Sequence, residues 1–140
     1  MGPLLWSKKL SDTDAQRQDG HVTGDLRLVQ ARPYNSHKIE QTTYFREVVF
    51  GSLAWQIVKD DPFEETADAD FSVNILGTVY NRTLTIGHKP SGEADQGNYT
   101  TSIRWGSLAS VLQRVDISGH MLRIYAPDPG TTTPFFIVVE

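Results

Sequence analysis

The 140-residue chain contains no cysteine, which removes disulfide frameworks, thiolate zinc sites and cysteine nucleophiles in one step. It has no apolar run near the roughly 20 residues that a membrane-spanning helix needs. The start, Met1-Gly2-Pro3-Leu4-Leu5-Trp6 followed by Lys8-Lys9, lacks the apolar centre of a secretory signal. A cytoplasmic protein with no membrane anchor is therefore expected. Positive charge is not in excess either. Lys and Arg number 13 against 17 Asp and Glu, a formal net charge of −4, so the chain carries no strongly basic tail. Internal repeats and low-complexity linkers are missing, and the length suits a single domain over residues 1–140.

The signatures of catalysis are missing as well. The four histidines, His21, His37, His88 and His120, are scattered, with no pair at metal-ligand spacing. Neither His37-Lys38 nor His88-Lys89 has the His-x-Lys spacing of phospholipase-D-type nucleases, and no Gly-x-Ser-x-Gly is present. Gly87-His-Lys-Pro-Ser91 is only superficially like a phosphate loop, because it lacks the first glycine and the lysine position. Asn81-Arg-Thr83 and Asn98-Tyr-Thr100 match glycosylation sequons but follow no secretory signal. The expectation is a chain that is not an enzyme and uses no cofactor or metal.

What is present is a pattern of short strands. Leu26 to Leu28, Phe71 to Ile75, Leu84 to Ile86, Thr101 to Trp105 and Met121 to Tyr125 alternate apolar and polar residues, Leu4 to Leu10 is strand-like, and Phe135 to Val139 is apolar throughout. Helical spacing occurs at Leu108, Val111, Leu112 and Val115, behind Ser107 as an N-cap, and again over Thr43 to Phe50 with Phe45, Val48 and Val49 on one side. Many strands and two short helices predict a mainly β fold, a small barrel or pseudobarrel rather than a doubly wound sheet. From Lys59 to Asp70 one positive residue faces six negative ones, a net of −5 that leaves +1 for the rest of the chain. This stretch, with Pro62 inside it, reads as a solvated loop leading into a strand. The overall acidity thus counts only weakly against a polyanionic partner, since association follows local potential.

Two polar stretches fall outside the core pattern: Ser11 to Gly24 and His88 to Tyr99. Both exceed the roughly 2–5 residues of ordinary hairpin loops, and long loops are more often functional than connective. If they project from one end of the barrel, one arm offers Lys8, Lys9, Asp12, Asp14, Gln16, Arg17 and His21. The other offers His88, Lys89, Ser91, Glu93, Asp95, Gln96, Asn98, Tyr99 and Arg104. That mixture suits the major groove. Arginine reads guanine with two hydrogen bonds, Gln and Asn suit adenine, and carboxylates accept from the cytosine amino group. The same carboxylates could instead simply cap turns. Trp55, Trp105 and Phe135 to Val139 are assigned to the core.

Several segments in order carry a family resemblance: Lys8-Lys-Leu-Ser-Asp-Thr-Asp-Ala-Gln-Arg17, Thr23-Gly-Asp-Leu-Arg-Leu28, Gln41-Thr-Thr-Tyr-Phe-Arg46, Ile86-Gly-His-Lys-Pro-Ser91 and Gln96-Gly-Asn-Tyr-Thr-Thr101 up to Trp105-Gly106. Together they resemble the DNA-recognition domain of restriction endonucleases of the NgoFVII type. Its wider relatives are the EcoRII effector domain, the BfiI recognition domain and the plant B-three domain. The resemblance implies a seven-stranded open pseudobarrel with two short helices, whose N-arm (about 9–23) and C-arm (about 88–101) grip the major groove like a wrench. It implies sequence-specific double-stranded DNA binding by the target-recognition module of a bacterial restriction–modification system. The nuclease domain of the parent enzyme would be separate, and the isolated domain monomeric. By position, Asp14, Gln16, Arg17, Glu93, Asp95, Gln96 and Asn98 would read bases. Lys8, Lys9, Ser11, His21, Thr23, His88, Lys89, Ser91, Tyr99 and Thr100 would hold the DNA backbone. Net acidity, and Glu93 and Asp95 on the C-arm, depart from a typical DNA binder. The competing reading is a protein- or carbohydrate-binding β-barrel module, whose affinity would not fall with salt as DNA binding does.

Overall fold

The computed structural model describes residues 1–12, 14–16, 24–28, 43–60, 63–90 and 99–140. Eight strands form one sheet: β1 (Leu4–Lys9), β2 (Asp25–Arg27), β3 (Gln56–Asp60), β4 (Phe63–Ile75), β5 (Thr78–Pro90), β6 (Tyr99–Arg104), β7 (Met121–Tyr125) and β8 (Phe135–Val139). Seven of them run in the order β1-β7-β8-β4-β5-β6-β2, and β3 pairs with β4 beside that path. The protein is mainly β, an open, curled half-barrel with two short helices. Every pairing is antiparallel except β4 with β8, which run parallel from Phe71↔Phe135 to Ile75↔Val139.

Alternation along the strands builds the core. Ala67, Ala69, Phe71, Val73 and Ile75 of β4 meet Ile86 and Leu84 of β5, Ile103 of β6, Leu26 of β2 and Phe135, Ile137 and Val139 of β8, all buried. A fully buried side chain of this size contributes about 1.5–3 kcal/mol relative to exposure. Helix α1 (Leu108–Val115) adds Leu108, Val111 and Leu112 to the same cluster and ends at Asp116 in the left-handed conformation, φ 43°. Trp6 and Phe45 meet edge to face at 6.0 Å inside it.

Local expectations are corrected or refined at three places. The acidic stretch is not a loop, because Phe63 to Asp70 is the first half of β4, paired with β3 on one side and β5 on the other. It stays extended because small Ala67 and Ala69 point inward. Asp68 and Asp70 point outward, where Thr85 and Thr83 hydroxyls donate to them at 2.7 and 2.6 Å. Ser107 stands at the N-cap of α1 as expected, but without a side-chain capping bond; its carbonyl accepts from Ser110 Oγ. The Thr43 to Phe50 segment is a π-helix (Tyr44–Val49), closed by Phe50 N–H donating to Phe45 O, and it buries Phe45 and Val49 but leaves Val48 70% exposed.

Candidate nucleic-acid interface

Strand β6 organises the region, with β5 on one side and β2 on the other. Its first residue, Tyr99, pairs with Pro90, so the 91–98 connection rises from that end. Its last residue, Arg104, pairs with Asp25, and Trp105 N–H donates to Gly24 O, so the N-arm returns to the sheet at the opposite end. Five residues at about 3.3 Å each separate these points by about 17 Å. The described roots of the two arms, Gly24 and Tyr99, therefore lie at the two ends of β6 and not side by side, as projection from one end of the barrel would require.

The described part of the N-arm is tied down. Ser11 N–H and Oγ both donate to one Asp14 carboxylate oxygen at 3.0 Å, Asp14 N–H donates back to Ser11 Oγ, and Lys8 Nζ lies 3.1 Å from the same carboxylate. Gln16, only 2% exposed and at φ 61°, accepts from Gly24 N–H at 2.7 Å and donates to the Asp14 and Asp25 carbonyls. One amide side chain thus joins the two roots of the arm. Asp14, 7% exposed, is likewise committed to internal bonds. Both residues, expected to read bases, are placed to hold the arm's base, and Lys8 and Ser11 serve the same turn. Lys9 is exposed. Arg17, His21 and Thr23 of this arm, and Ser91, Glu93, Asp95, Gln96 and Asn98 of the other, lie outside the described residues.

At the root of the C-arm the inner and outer faces of the sheet differ. Inside, His88 is buried beside Trp55 and Tyr99, with ring centroids 6.2 and 5.1 Å away, and its Nδ1 shares a 3.0 Å hydrogen bond with Thr101 Oγ1. Phe63 lies 6.5 Å from Tyr99. Burial lowers the His88 pKa, against the upward pull of the nearby Glu65 carboxylate. Arg46 of the π-helix donates to both Glu65 oxygens at 2.8 and 3.1 Å, while its guanidinium sits 4.4 Å from the centre of the Trp55 ring. Those bonds hold the Glu65 carboxyl below its ordinary pKa. Arg46 and Glu65 were not named as site residues from sequence, and Trp55, assigned to the core, is only half-buried under that cation.

Outside, Lys89 is exposed opposite Thr100, whose hydroxyl is buried and has no hydrogen-bond partner among the described residues. Arg104 reaches Glu64 at 3.4 Å, and its guanidinium passes 3.4 Å from where a Cβ on Gly87 would stand. The guanidinium thus lies across β5 over Gly87, at about van der Waals distance. Asp25, beside Arg104, has a pKa raised by burial, against the opposing charges of Arg104 and Lys89.

Among the described residues no three His, Asp or Glu side chains gather as a metal site, and no helix is long and apolar enough to cross a membrane. No family model, no curated protein and no solved structure matches the chain.

Proposed function

We propose that the chain is a sequence-specific double-stranded DNA-binding domain, the target-recognition module of a restriction endonuclease whose nuclease domain is separate. The observation that carries the reading is the open, curled sheet with both long polar connections rooted on β6, their described roots at Gly24 and Tyr99 about 17 Å apart along the strand. A major groove about 12 Å wide can be straddled by jaws at that separation. The curled open sheet, which the resemblance to NgoFVII-type recognition domains implied, supports the same reading.

Asp14 and Gln16 brace the N-arm, so base reading passes to Arg17 on that arm and to Glu93, Asp95, Gln96 and Asn98 on the other. Lys9 and Lys89, both exposed, supply backbone contacts, while His88, neutral and buried, acts as packing at the C-arm root. The domain needs no cofactor for this and acts as a monomer.

The test is selection of bound duplexes from a randomised pool at physiological salt. Enrichment of one short motif is expected. An unenriched pool, or affinity that does not fall as salt rises, would move the chain to the protein- or carbohydrate-binding reading.

A further inference from the structure

The strand register sorts the outer face of the sheet by charge. The buried row Leu26, Ile103 and Ile86 fixes the neighbouring rows, Arg27–Ser102–Gly87 and Asp25–Arg104–Thr85, on the opposite, outer face. Lys89 and Thr100 make the next outer row, at the C-arm root. Cations therefore stand on β2, β6 and β5, with Asp25 of β2 set beside Arg104, while the acids Glu64, Asp68 and Asp70 stand on β4. The acids are already engaged: Asp68 and Asp70 accept from threonine hydroxyls, and Glu64 accepts from Arg104. Arg27 and Lys89 are exposed, and neither makes a hydrogen bond or ion pair with any described residue.

We infer that Arg27, Arg104 and Lys89 form a phosphate-binding floor between the two arms, on which the DNA backbone rests while the arms enter the groove. The inference rests on the DNA-binding reading and adds the residues that bear the load. Arg27 occupies the middle row, between the N-arm end at Asp25–Arg104 and the C-arm end at Lys89. It lies on the short strand β2, the last in the order of the described strands. Ser102, its row neighbour, is small, and Gly87 beyond it lies beneath the Arg104 guanidinium, which brings that cation into the same row. The β4 acids mark where the floor stops, because a phosphate there would meet carboxylates.

A phosphate contact weakens all sequences alike and carries part of the salt dependence. The experiment measures affinity of the whole chain for the selected duplex and for a scrambled duplex over a range of salt. Arg27→Ala is expected to weaken both duplexes by the same factor and to reduce the slope of log affinity against log salt by about one, with Arg27→Lys restoring most of it. Arg82→Ala is the control. Arg82 is also exposed, but it pairs with Phe71 on the other face and lies over Tyr80. It should leave the slope unchanged. Equal loss of slope in both variants would reduce the effect to overall charge and overturn the floor. An Arg27→Ala slope identical to that of the unmodified chain would overturn it too. Failure of the unmodified chain to bind any duplex would instead remove the DNA-binding reading, and the floor with it. Arg27 is exposed, so an unchanged unfolding midpoint is expected to accompany the loss.

Discussion

Arg46 holds Glu65 in a two-pronged grip, Nε to one carboxylate oxygen at 2.8 Å and a terminal nitrogen to the other at 3.1 Å. The π-helix that carries Arg46 is thereby fastened to β4 at the level of His88, the root of the C-arm. The guanidinium is planar and lies over Trp55 as well, a combination that an ammonium cannot reproduce.

Arg46→Ala should therefore cost about 2 kcal/mol, since it leaves a largely buried carboxylate without its charged donor. Arg46→Lys should recover the charge but not the fork, and fall between the two in chemical denaturation. Equal stability of Arg46→Lys and the parent chain would show that the fork and the stack contribute nothing beyond charge.

Acid should weaken the same corner in two steps. His88 has a pKa pushed below 6.5 by burial, so the unfolded chain binds its proton first as the pH falls. Stability contributed by neutral His88 is complete above about pH 6.5 and is lost as the pH drops from there toward the lower folded value. Glu65 acts further down. Its folded pKa is lowered, so its contribution is present above the ordinary glutamate value and disappears as the pH falls through the folded one. Denaturation midpoints measured from pH 7.5 to pH 4 should decline first in the histidine range. His88→Gln should remove that first decline while keeping the lower one. A first decline unchanged in His88→Gln would assign it to another group.

Much of the fold was legible because short strands announce themselves through alternation, and Phe71 to Ile75, Met121 to Tyr125 and Phe135 to Val139 all lie where their patterns put them. The first half of β4 was hidden because its inward residues include small alanines and its outward ones are acids. Solvation and sheet pairing look alike when the only clue is charge. The candidate site was less legible for a different reason. Asp14 and Gln16 have the hydrogen-bonding chemistry that base reading needs, and a turn consumes that chemistry just as well. Conversely, Leu26-Arg27-Leu28 alternates plainly enough to place Arg27 outward. Its importance emerged only when the register set it between two arm roots.

The β4–β5 hairpin contains a correctable strain. Leu76 and Gly77 both have positive φ, 50° and 97°, in the two-residue turn between the Ile75↔Thr78 pair, with Asn74 Oδ1 accepting from Gly77 N–H. Glycine suits this conformation; a leucine side chain crowds its own backbone there, at a cost of about 1 kcal/mol. Leu76 is 46% exposed, so its replacement gives up little packing. Leu76→Asn should raise the thermal midpoint by a few degrees, about 1 kcal/mol, whereas Gly77→Ala should lower it. A drop in Leu76→Asn would mean that leucine packing outweighs the backbone strain.

Thr100 separates packing from recognition at the C-arm root. Its hydroxyl is buried opposite Lys89 and has no hydrogen-bond partner among the described residues, an arrangement that carries a desolvation penalty with no compensating bond. Valine has nearly the same shape and no such group. Thr100→Val should therefore keep or gain stability, by up to about 1 kcal/mol, and should bind the selected duplex as the parent chain does, because the hydroxyl has no surface to offer a phosphate. Lys89→Ala, one strand away and exposed, should weaken every duplex alike. Loss of more than about 1 kcal/mol in Thr100→Val would show that the hydroxyl is bonded after all, through an ordered water for instance. Loss of DNA affinity at unchanged stability would mean that the strand opens on binding and that Thr100 touches the backbone.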